Sequence, residues 1–492
     1  MTRPPVLRAF LDDDQEIFGD LFAGGGGASE GAEEAIGQPV TFAVNHDQEA
    51  LGMHAVNHPR TKHYCCDVFE VDPAEVCQGR PVGGIWFSPD CTYHSKARGS
   101  KPFRDPKQAR GRRGLAWVVI RWARRVKPRV IFLENVDEFE DWGPLKGDKP
   151  DPERKGLVFR IWLGKLKAAG YHVEYRQLRA CDYGAPTTRK RLFLIARSDG
   201  QPIVWPDPTH GRTTGVPYRT AAECIDWSLP CPSIFGRKKP LVEKTMARIA
   251  RGVWKYVIGN AEPFIVPVTH GGDHRVHSIR EPLRTVTAAQ RGELALIGAT
   301  MVQTGYGERR GQAPRTLRID QPLGTVVGSQ KHALVAAFLA KHYGGHEGSG
   351  APLTLPLSTV TTQDHHAVAT AVLTKNGDRR AEVRAFLTKY NGTGVGQSLQ
   401  LPLGTVTTKD RFGLVVVHGE TYEIADIGQR MLTPRELFRA QGFPGDYIID
   451  RGADGAPLTL TAQVRMCGNS VSPPIAAAIV RANMRRGARR TA

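Results

Sequence analysis

Through the first 200 or so residues, short apolar runs alternate with segments whose apolar positions recur at helical spacing. Candidate strands lie at 17–22, 41–45, 82–87, 129–133, 172–178 and 191–196. Between two of them, Leu115, Val118, Val119 and Trp122 mark a helical stripe, and Pro128 closes that helix just before the next strand. This alternation predicts an α/β domain over residues 1–205, built on a mostly parallel sheet covered by helices.

From about residue 206 the texture changes to Pro, Gly, Thr and His with β-type runs. Four segments read alike there: Pro282-Leu283-Arg284-Thr285-Val286-Thr287, Pro322-Leu323-Gly324-Thr325-Val326-Val327, Pro356-Leu357-Ser358-Thr359-Val360-Thr361 and Pro402-Leu403-Gly404-Thr405-Val406-Thr407. They are 40, 34 and 46 residues apart, and apolar runs such as 333–339 and 414–417 follow them. Repeats of this length predict supersecondary units that bury their apolar faces on one another, so packing accounts for the repeated Pro, Leu, Thr and Val. The expected organisation is a β-rich, repeat-containing domain over 206–427 and a C-terminal segment, 428–492, that returns to complete the first domain.

Composition narrows the partners. The 492 residues carry a formal charge of +18 with a pI near 9.7, which suggests a polyanion. Placement sharpens that reading, because residues 92–133 hold thirteen Lys or Arg against one acid, Asp105. No apolar run approaches the roughly 18 residues that span a bilayer. The start, with Asp12, Asp13 and Asp14, lacks the order of a secretory signal. A cytoplasmic, DNA-associated protein without membrane contact is expected. The eight cysteines show neither C-x-x-C pairs nor disulfide-scaffold density, and adjacent Cys65 and Cys66 are poor joint zinc ligands, so reduced thiols and no metal are expected.

Four stretches carry the candidate chemistry. Asp20-Leu21-Phe22-Ala23-Gly24-Gly25-Gly26-Gly27 follows a strand and precedes a helix, where glycines permit a tight turn and close approach to a ligand. Alone it fits a dinucleotide site, or a purely structural turn, as well as any other. Ser88-Pro89-Asp90-Cys91-Thr92-Tyr93-His94-Ser95 stands at the carboxyl end of strand 82–87, and Glu134-Asn135-Val136 ends strand 129–133 on the same side. A thiol and a carboxylate would then face one cleft, whereas each alone reads as a buried Cys or a helix cap. The fourth stretch, Asp182-Tyr183-Gly184-Ala185-Pro186-Thr187-Thr188-Arg189-Lys190-Arg191, leads into strand 191–196. Far downstream come Arg430-Met431-Leu432-Thr433-Pro434-Arg435-Glu436, Gln441-Gly442-Phe443-Pro444 and Gly468-Asn469-Ser470-Val471-Ser472-Pro473-Pro474.

In this order the motifs resemble the cytosine-5 DNA methyltransferase family, over roughly residues 16–200 and 428–484. The resemblance implies a Rossmann-like S-adenosylmethionine-dependent methyltransferase domain and assigns the middle segment to target recognition. It implies that Phe22 stacks on the cofactor adenine, that Gly24 and Gly26 line its methionine and ribose, and that Asp67 contacts the adenine amine. Asp20, Gly27, Val68 and Pro89 join that cofactor set, Leu115 packs nearby, and Asn469 and Val471 complete the pocket. Three departures stand out. His46, followed by Asp47, occupies the usually acidic ribose-binding place. Pro89 stands one residue further than usual from the thiol, across Asp90. Thr187 replaces a glutamine, leaving Arg189 and Arg191 as the matching basic pair.

The implied reaction transfers a methyl group to carbon 5 of a cytosine rotated out of duplex DNA. Cys91 adds to carbon 6, Glu134 bonds ring nitrogen 3 and the exocyclic amine, and Arg191 stabilises oxygen 2. Asp90 disfavours the thiolate, which Arg189, Arg191 and the sulfonium are expected to offset. Residues 95–113 are expected to order on binding DNA. The implied partners are double-stranded DNA and a cognate restriction endonuclease, with the enzyme acting as a monomer. A cytosine-5 RNA methyltransferase, a catalytically silent DNA-binding relative and a nicotinamide oxidoreductase are the competing readings; the last leaves Cys91 and Glu134 without purpose.

Overall fold

The computed structural model describes residues 16–90, 114–147, 149–226 and 420–484 continuously, and only short stretches between 229 and 417. The chain divides into one unit of Met1–Pro217 with Phe438–Ala492 and another of Tyr218–Leu437.

The first unit runs β1 (Ile17–Leu21), α1 (Gly27–Ile36), β2 (Phe42–Asn45), α2 (Gln48–Asn57), β3 (Lys62–Cys65), α3 (Pro73–Cys77) and β4 (Val82–Phe87). It continues through α4 (Trp117–Arg125), β5 (Val130–Asn135), a ribbon of β6 (Leu145–Lys146) and β7 (Lys149–Pro150), α5 (Leu157–Ala168), β8 (His172–Arg179) and β9 (Lys190–Arg197). One sheet takes the order β3-β2-β1-β4-β5-β9-β8. The pairings between β3 and β5 are parallel, while β9 is antiparallel to both its neighbours, so it alone opposes the other six strands.

Period-2 alternation divides the core between the faces of this sheet. Ile17, Leu21, Ile85, Phe87, Ile131 and Leu133 turn to one side, against Val118, Val119 and Trp122 of α4 and Phe159, Trp162 and Leu166 of α5. Phe18, Trp86, Val130 and Phe132 turn to the other, against Ala28, Ala32 and Ala35 of α1. That second layer is completed from the C-terminus: after α6 (Pro434–Ala440) and α7 (Leu460–Asn469), α8 (Pro473–Met484) brings Ile475, Ala476, Ile479 and Val480 to the same cluster. Local chemistry starts the helices. The carboxylates of Asp47 and Asp72 accept from the backbone of Ala50 and Ala74, and Thr459 caps α7 through Ala462.

Several element ends differ from the sequence-based expectation. β1 stops at Leu21 rather than 22, because Phe22 turns the chain at φ 63°. β5 starts at Val130 rather than 129 and runs two residues past 133, since Glu134 and Asn135 keep pairing with Phe193 and Leu192 of β9. Leu115 lies just before α4 rather than within it, yet still packs against the core. The edge strand β3 was not expected; its Lys-His-Tyr-Cys sequence is half exposed and shows no apolar run.

In the second unit the described strands are β10 (Val286–Thr287), β11 (Leu294–Ala295), β12 (Thr300–Gln303), β13 (Arg315–Leu317), β14 (His332–Lys341), β15 (Thr359–Val360), β16 (His366–Thr374), β17 (Leu414–Val417) and β18 (Glu420–Met431). Seven form a sheet in the order β13-β12-β14-β16-β11-β18-β17. The first and third sequence repeats supply β10 and β15, which pair in parallel with Val286 opposite Thr359; the repeats at 322–327 and 402–407 lie outside the described residues. Arg430 donates to both oxygens of the fully buried Glu436 at 2.9 and 2.8 Å, and that carboxylate also accepts from the backbone of Thr433 and Asp226. Among the described residues no helix is long and apolar enough to cross a membrane.

Candidate active site

In open α/β sheets ligands gather beyond the carboxyl ends of the strands, where the strand order reverses. Here β1 lies between β2 and β4, so the turn after β1 and the chain leaving β4 open on that place.

The last two residues of β5 carry the first group of polar side chains. Glu134 is 7% exposed. Its Oε1 lies 3.3 Å from Arg191 Nε and 3.7 Å from Arg189 Nη2. Burial raises its pKa above the usual carboxylate range even though both guanidinium groups oppose the shift, and Asp137 adds to the rise. Arg189 is held by a bond from Nη1 to the Gly468 carbonyl at 3.0 Å, and Arg191 by one to the Lys190 carbonyl at 2.8 Å. Next along β5, Asn135 donates from Nδ2 to the Pro89 carbonyl at 3.0 Å and accepts from the Val136 amide. That bond ties the chain leaving β4, two residues before Cys91, to the strand that carries Glu134. Cys91 and residues 95–113 lie outside the described residues.

A second group surrounds the glycine turn. Phe22 is partly buried and its left-handed backbone costs about 1–3 kcal/mol. A side chain at Gly24 would meet open space. Gly26 adopts φ 95°, and a Cβ there would fall 2.1 Å from the Tyr447 hydroxyl; at Gly27 it would fall 2.1 Å from the Val471 carbonyl. These two glycines therefore admit the C-terminal segment, and Gly24 is the one that leaves room. Asp20, 1% exposed at the end of β1, accepts from the Ser29 hydroxyl at 2.8 Å on Oδ2, while Oδ1 has no hydrogen-bond partner among the described residues. A partly buried ring, an open glycine and a buried acceptor without a partner among the described residues fit a ligand that combines a planar base with a cationic group.

The remaining expected positions divide. His46 and Asp67 are exposed, with Asp67 accepting from the Phe69 amide, and Val68 is buried beside it. Both oxygens of Asp47 are engaged, Oδ1 by Ala50 and Oδ2 by Arg465 of α7. Leu115 and Phe22 pack against the same core cluster. Asn469 is exposed at the end of α7, and Val471 is buried. The structure thus brings Glu134, Arg189 and Arg191 together, ties Pro89 to the neighbouring Asn135, gathers Asp20, Gly26, Gly27 and Val471 round the turn, and draws Asp47 to an arginine. Sequence reasoning missed the buried Ser29, His54, His58 and Tyr447 behind that turn and the half-buried His63 beside them; only the four-residue interval between His54 and His58 hints at them.

A family model described as C-5 cytosine-specific DNA methylase matches residues 17–225 and 358–485. The chain belongs to that family. The chain is 30% identical over 273 residues to the type II methyltransferase M.SacI of Streptomyces achromogenes, covering 47% of its own length and 62% of that protein. It is 27% identical over 204 residues to the type II methyltransferase M.AgeI of Thalassovita gelatinovora, covering 40% and 43%. Against DNA (cytosine-5)-methyltransferase 1A of Oryza sativa subsp. japonica it is 26% identical over 222 residues, 39% of the chain and 14% of that protein. The match spans less than two thirds of each of these three relatives. Among solved structures, the Entamoeba histolytica methyltransferase EhMeth aligns over 95% of this chain and 97% of its own, with 12% identity and a TM-score of 0.46.

Proposed function

We propose that this methylase transfers a methyl group from S-adenosylmethionine to carbon 5 of cytosine in double-stranded DNA. The observation that carries the reading is the bond from Asn135 to the Pro89 carbonyl, which holds the approach to Cys91 against the strand bearing a buried carboxylate and two guanidinium groups. Family membership and a relative named for cytosine-5 methylation of DNA support it.

Carbon 5 of cytosine is a weak nucleophile. Addition of the Cys91 thiolate to carbon 6 places an electron pair on the ring that carbon 5 can use. S-adenosylmethionine, when bound, supplies an electrophilic methyl group on a positively charged sulfur. Glu134, its pKa raised by burial, holds a proton readily and binds ring nitrogen 3 and the exocyclic amine as charge builds there. Arg191 lies beside it to bind oxygen 2, and Arg189 fixes the carboxylate from its anchor on Gly468. A base, for which water suffices, then takes the carbon 5 proton; the electron pair left behind re-forms the ring double bond as the bond from carbon 6 to sulfur breaks and the Cys91 thiolate leaves.

The target base leaves the duplex to reach such a site, at an unstacking cost of a few kcal/mol. Recognition of the DNA sequence is assigned to the β-rich, repeat-containing unit of Tyr218–Leu437, whose loops carry basic and polar side chains. A restriction endonuclease of the same specificity is the expected companion. The deciding experiment follows labelled methyl groups from S-adenosylmethionine into duplex DNA and into tRNA, then identifies the modified nucleoside. Label in 5-methylcytosine from DNA, abolished by Cys91→Ser, is the expected result. Label only in tRNA, only on the exocyclic amine, or undiminished in Cys91→Ser overturns the reading.

A further inference from the structure

Behind the glycine turn lies a row of buried polar groups that the proposed chemistry leaves unused. Ser29 of α1 donates to Asp20 Oδ2 at 2.8 Å. His54 of α2, with no exposure, places Nε2 2.9 Å from the Ser29 hydroxyl and Nδ1 2.9 Å from His63 Nε2 on the edge strand β3. His63 is half-buried, so the row runs from the rim of the sheet to the base of the turn.

Counting hydrogens fixes its direction. An ionised Asp20 only accepts, so the single hydroxyl hydrogen of Ser29 points to it and the Ser29 oxygen must accept from His54 Nε2–H. Burial, with the charges of His58 and His63 adding to it, holds the His54 pKa well below the usual histidine range, so that ring is neutral and its Nδ1 accepts. His63 must then donate from Nε2. Every hydrogen in the row points toward the carboxylate.

We propose that His63, His54 and Ser29 are positioning residues that form a proton relay to Asp20, so that the charge behind the glycine turn, and with it the hold on a cationic cofactor, is set from the edge of the sheet. This rests on the methyl-donor reading for the ligand, although the relay itself does not. In the transfer, His63 takes a proton from water at Nδ1 and gives its Nε2 proton to His54 Nδ1. His54 gives its Nε2 proton to the Ser29 oxygen, and Ser29 gives its hydroxyl proton to Asp20 Oδ2. The net change is one proton moved from solvent to the carboxylate, with both rings left neutral in the opposite tautomer.

The other groups near Asp20 bear on its charge. His58, at the end of α2, pulls the carboxylate toward ionisation; it bonds Glu33 of α1 at 3.0 Å and the Tyr447 hydroxyl at 3.2 Å. Tyr447 donates to the Gly25 carbonyl at 2.7 Å, with Glu30 and Glu33 nearby. Against these and the Ser29 bonds, burial is the larger influence and lifts the Asp20 pKa to about 7, where a relay has something to carry. The unpartnered Oδ1 is the free acceptor on which the ligand's cation acts.

The relay is read first in the ligand-free protein, with nitrogen-labelled histidine and carboxyl-labelled aspartate observed by nuclear magnetic resonance. Above neutral pH, His54 and His63 should both carry hydrogen on Nε2, and Asp20 should titrate near neutrality. Hydrogen on Nδ1 of His54 under those conditions, or an Asp20 carboxyl that titrates in the ordinary range, overturns the proposal. The second reading is binding of S-adenosylmethionine with a pH indicator in rapid mixing. Affinity should rise by about tenfold per pH unit up to neutrality, with one proton released, as linkage requires. Asp20→Asn should abolish both effects, and His63→Leu should keep the equilibrium slope while losing the fast phase of release. An unchanged slope in Asp20→Asn, or an unchanged fast phase in His63→Leu, is the contrary result. If the protein binds no S-adenosylmethionine at any pH, the link to the cofactor and the methyl-donor reading both fall, while the resonance measurement still decides the relay.

Discussion

Two buried carboxylates stand at the ends of neighbouring parts of one sheet and meet different surroundings. Glu134, at the end of β5, faces two guanidinium groups; Asp20, at the end of β1, touches a hydroxyl and keeps one oxygen without a partner. Burial raises the pKa of both. The lesson is that desolvation alone does not decide a role, because the compensating groups do. The cations beside Glu134 oppose the rise that burial imposes on it, as the proposed contact with a polar base requires, whereas beside Asp20 burial outweighs the hydroxyl, as the proposed relay requires.

The largest effect should come from Glu134→Gln, which keeps shape and removes the ionisable group: single-turnover methyl transfer falls about 10²–10⁴-fold. A parent rate would dissolve the contrast, since Glu134 would then be structural. Next, Arg189→Met leaves Glu134 short of a cation and the Gly468 carbonyl short of a donor, and should lower stability by about 3–5 kcal/mol in urea unfolding. An effect below about 1 kcal/mol would mean that the arginine acts as an exposed ion does.

Asp20→Asn sharpens the other side. The folded pKa of Asp20, about 7, lies above its ordinary 3.8, so the folded state binds more protons in that window and stability is lost as pH rises through it. The ligand-free Asn variant lacks that slope. It should match the parent near pH 4 and exceed it by up to about 4 kcal/mol above neutrality; parallel stability curves would refute the elevated value. The smallest effect is expected at Asp47, whose pKa is lowered with the help of Arg465. Asp47→Asn should lower stability by about 1 kcal/mol or less at neutral pH, a loss that fades as acid protonates the parent's carboxylate below its ordinary range.

Much of the sheet was readable because β4 is an unbroken apolar run whose ends coincide with the expected 82–87. β5 outruns its apolar stretch because Glu134 and Asn135 end the apolar run while their backbones go on pairing. β3 leaves no such signal, because an exposed edge imposes no pattern on its side chains. The motif order pointed to Glu134, Arg189 and Arg191, which do converge. The Asp20 row was invisible for a different reason: Ser29, His54 and His63 are ordinary polar residues until folding removes water from around them. Likewise, nothing local ties Asp47 to Arg465, 418 positions away.

β9 is the single reversed strand of the first unit's sheet. Lys190 begins β9 and Arg197 ends it, so the reversal starts that strand where β5 finishes. Had β9 run with its neighbours, its eight residues would carry the two guanidinium groups to the far rim, roughly 25 Å away. One change of chain direction therefore does what no substitution can do: it delivers positive charge to the single edge of the layer where everything else arrives.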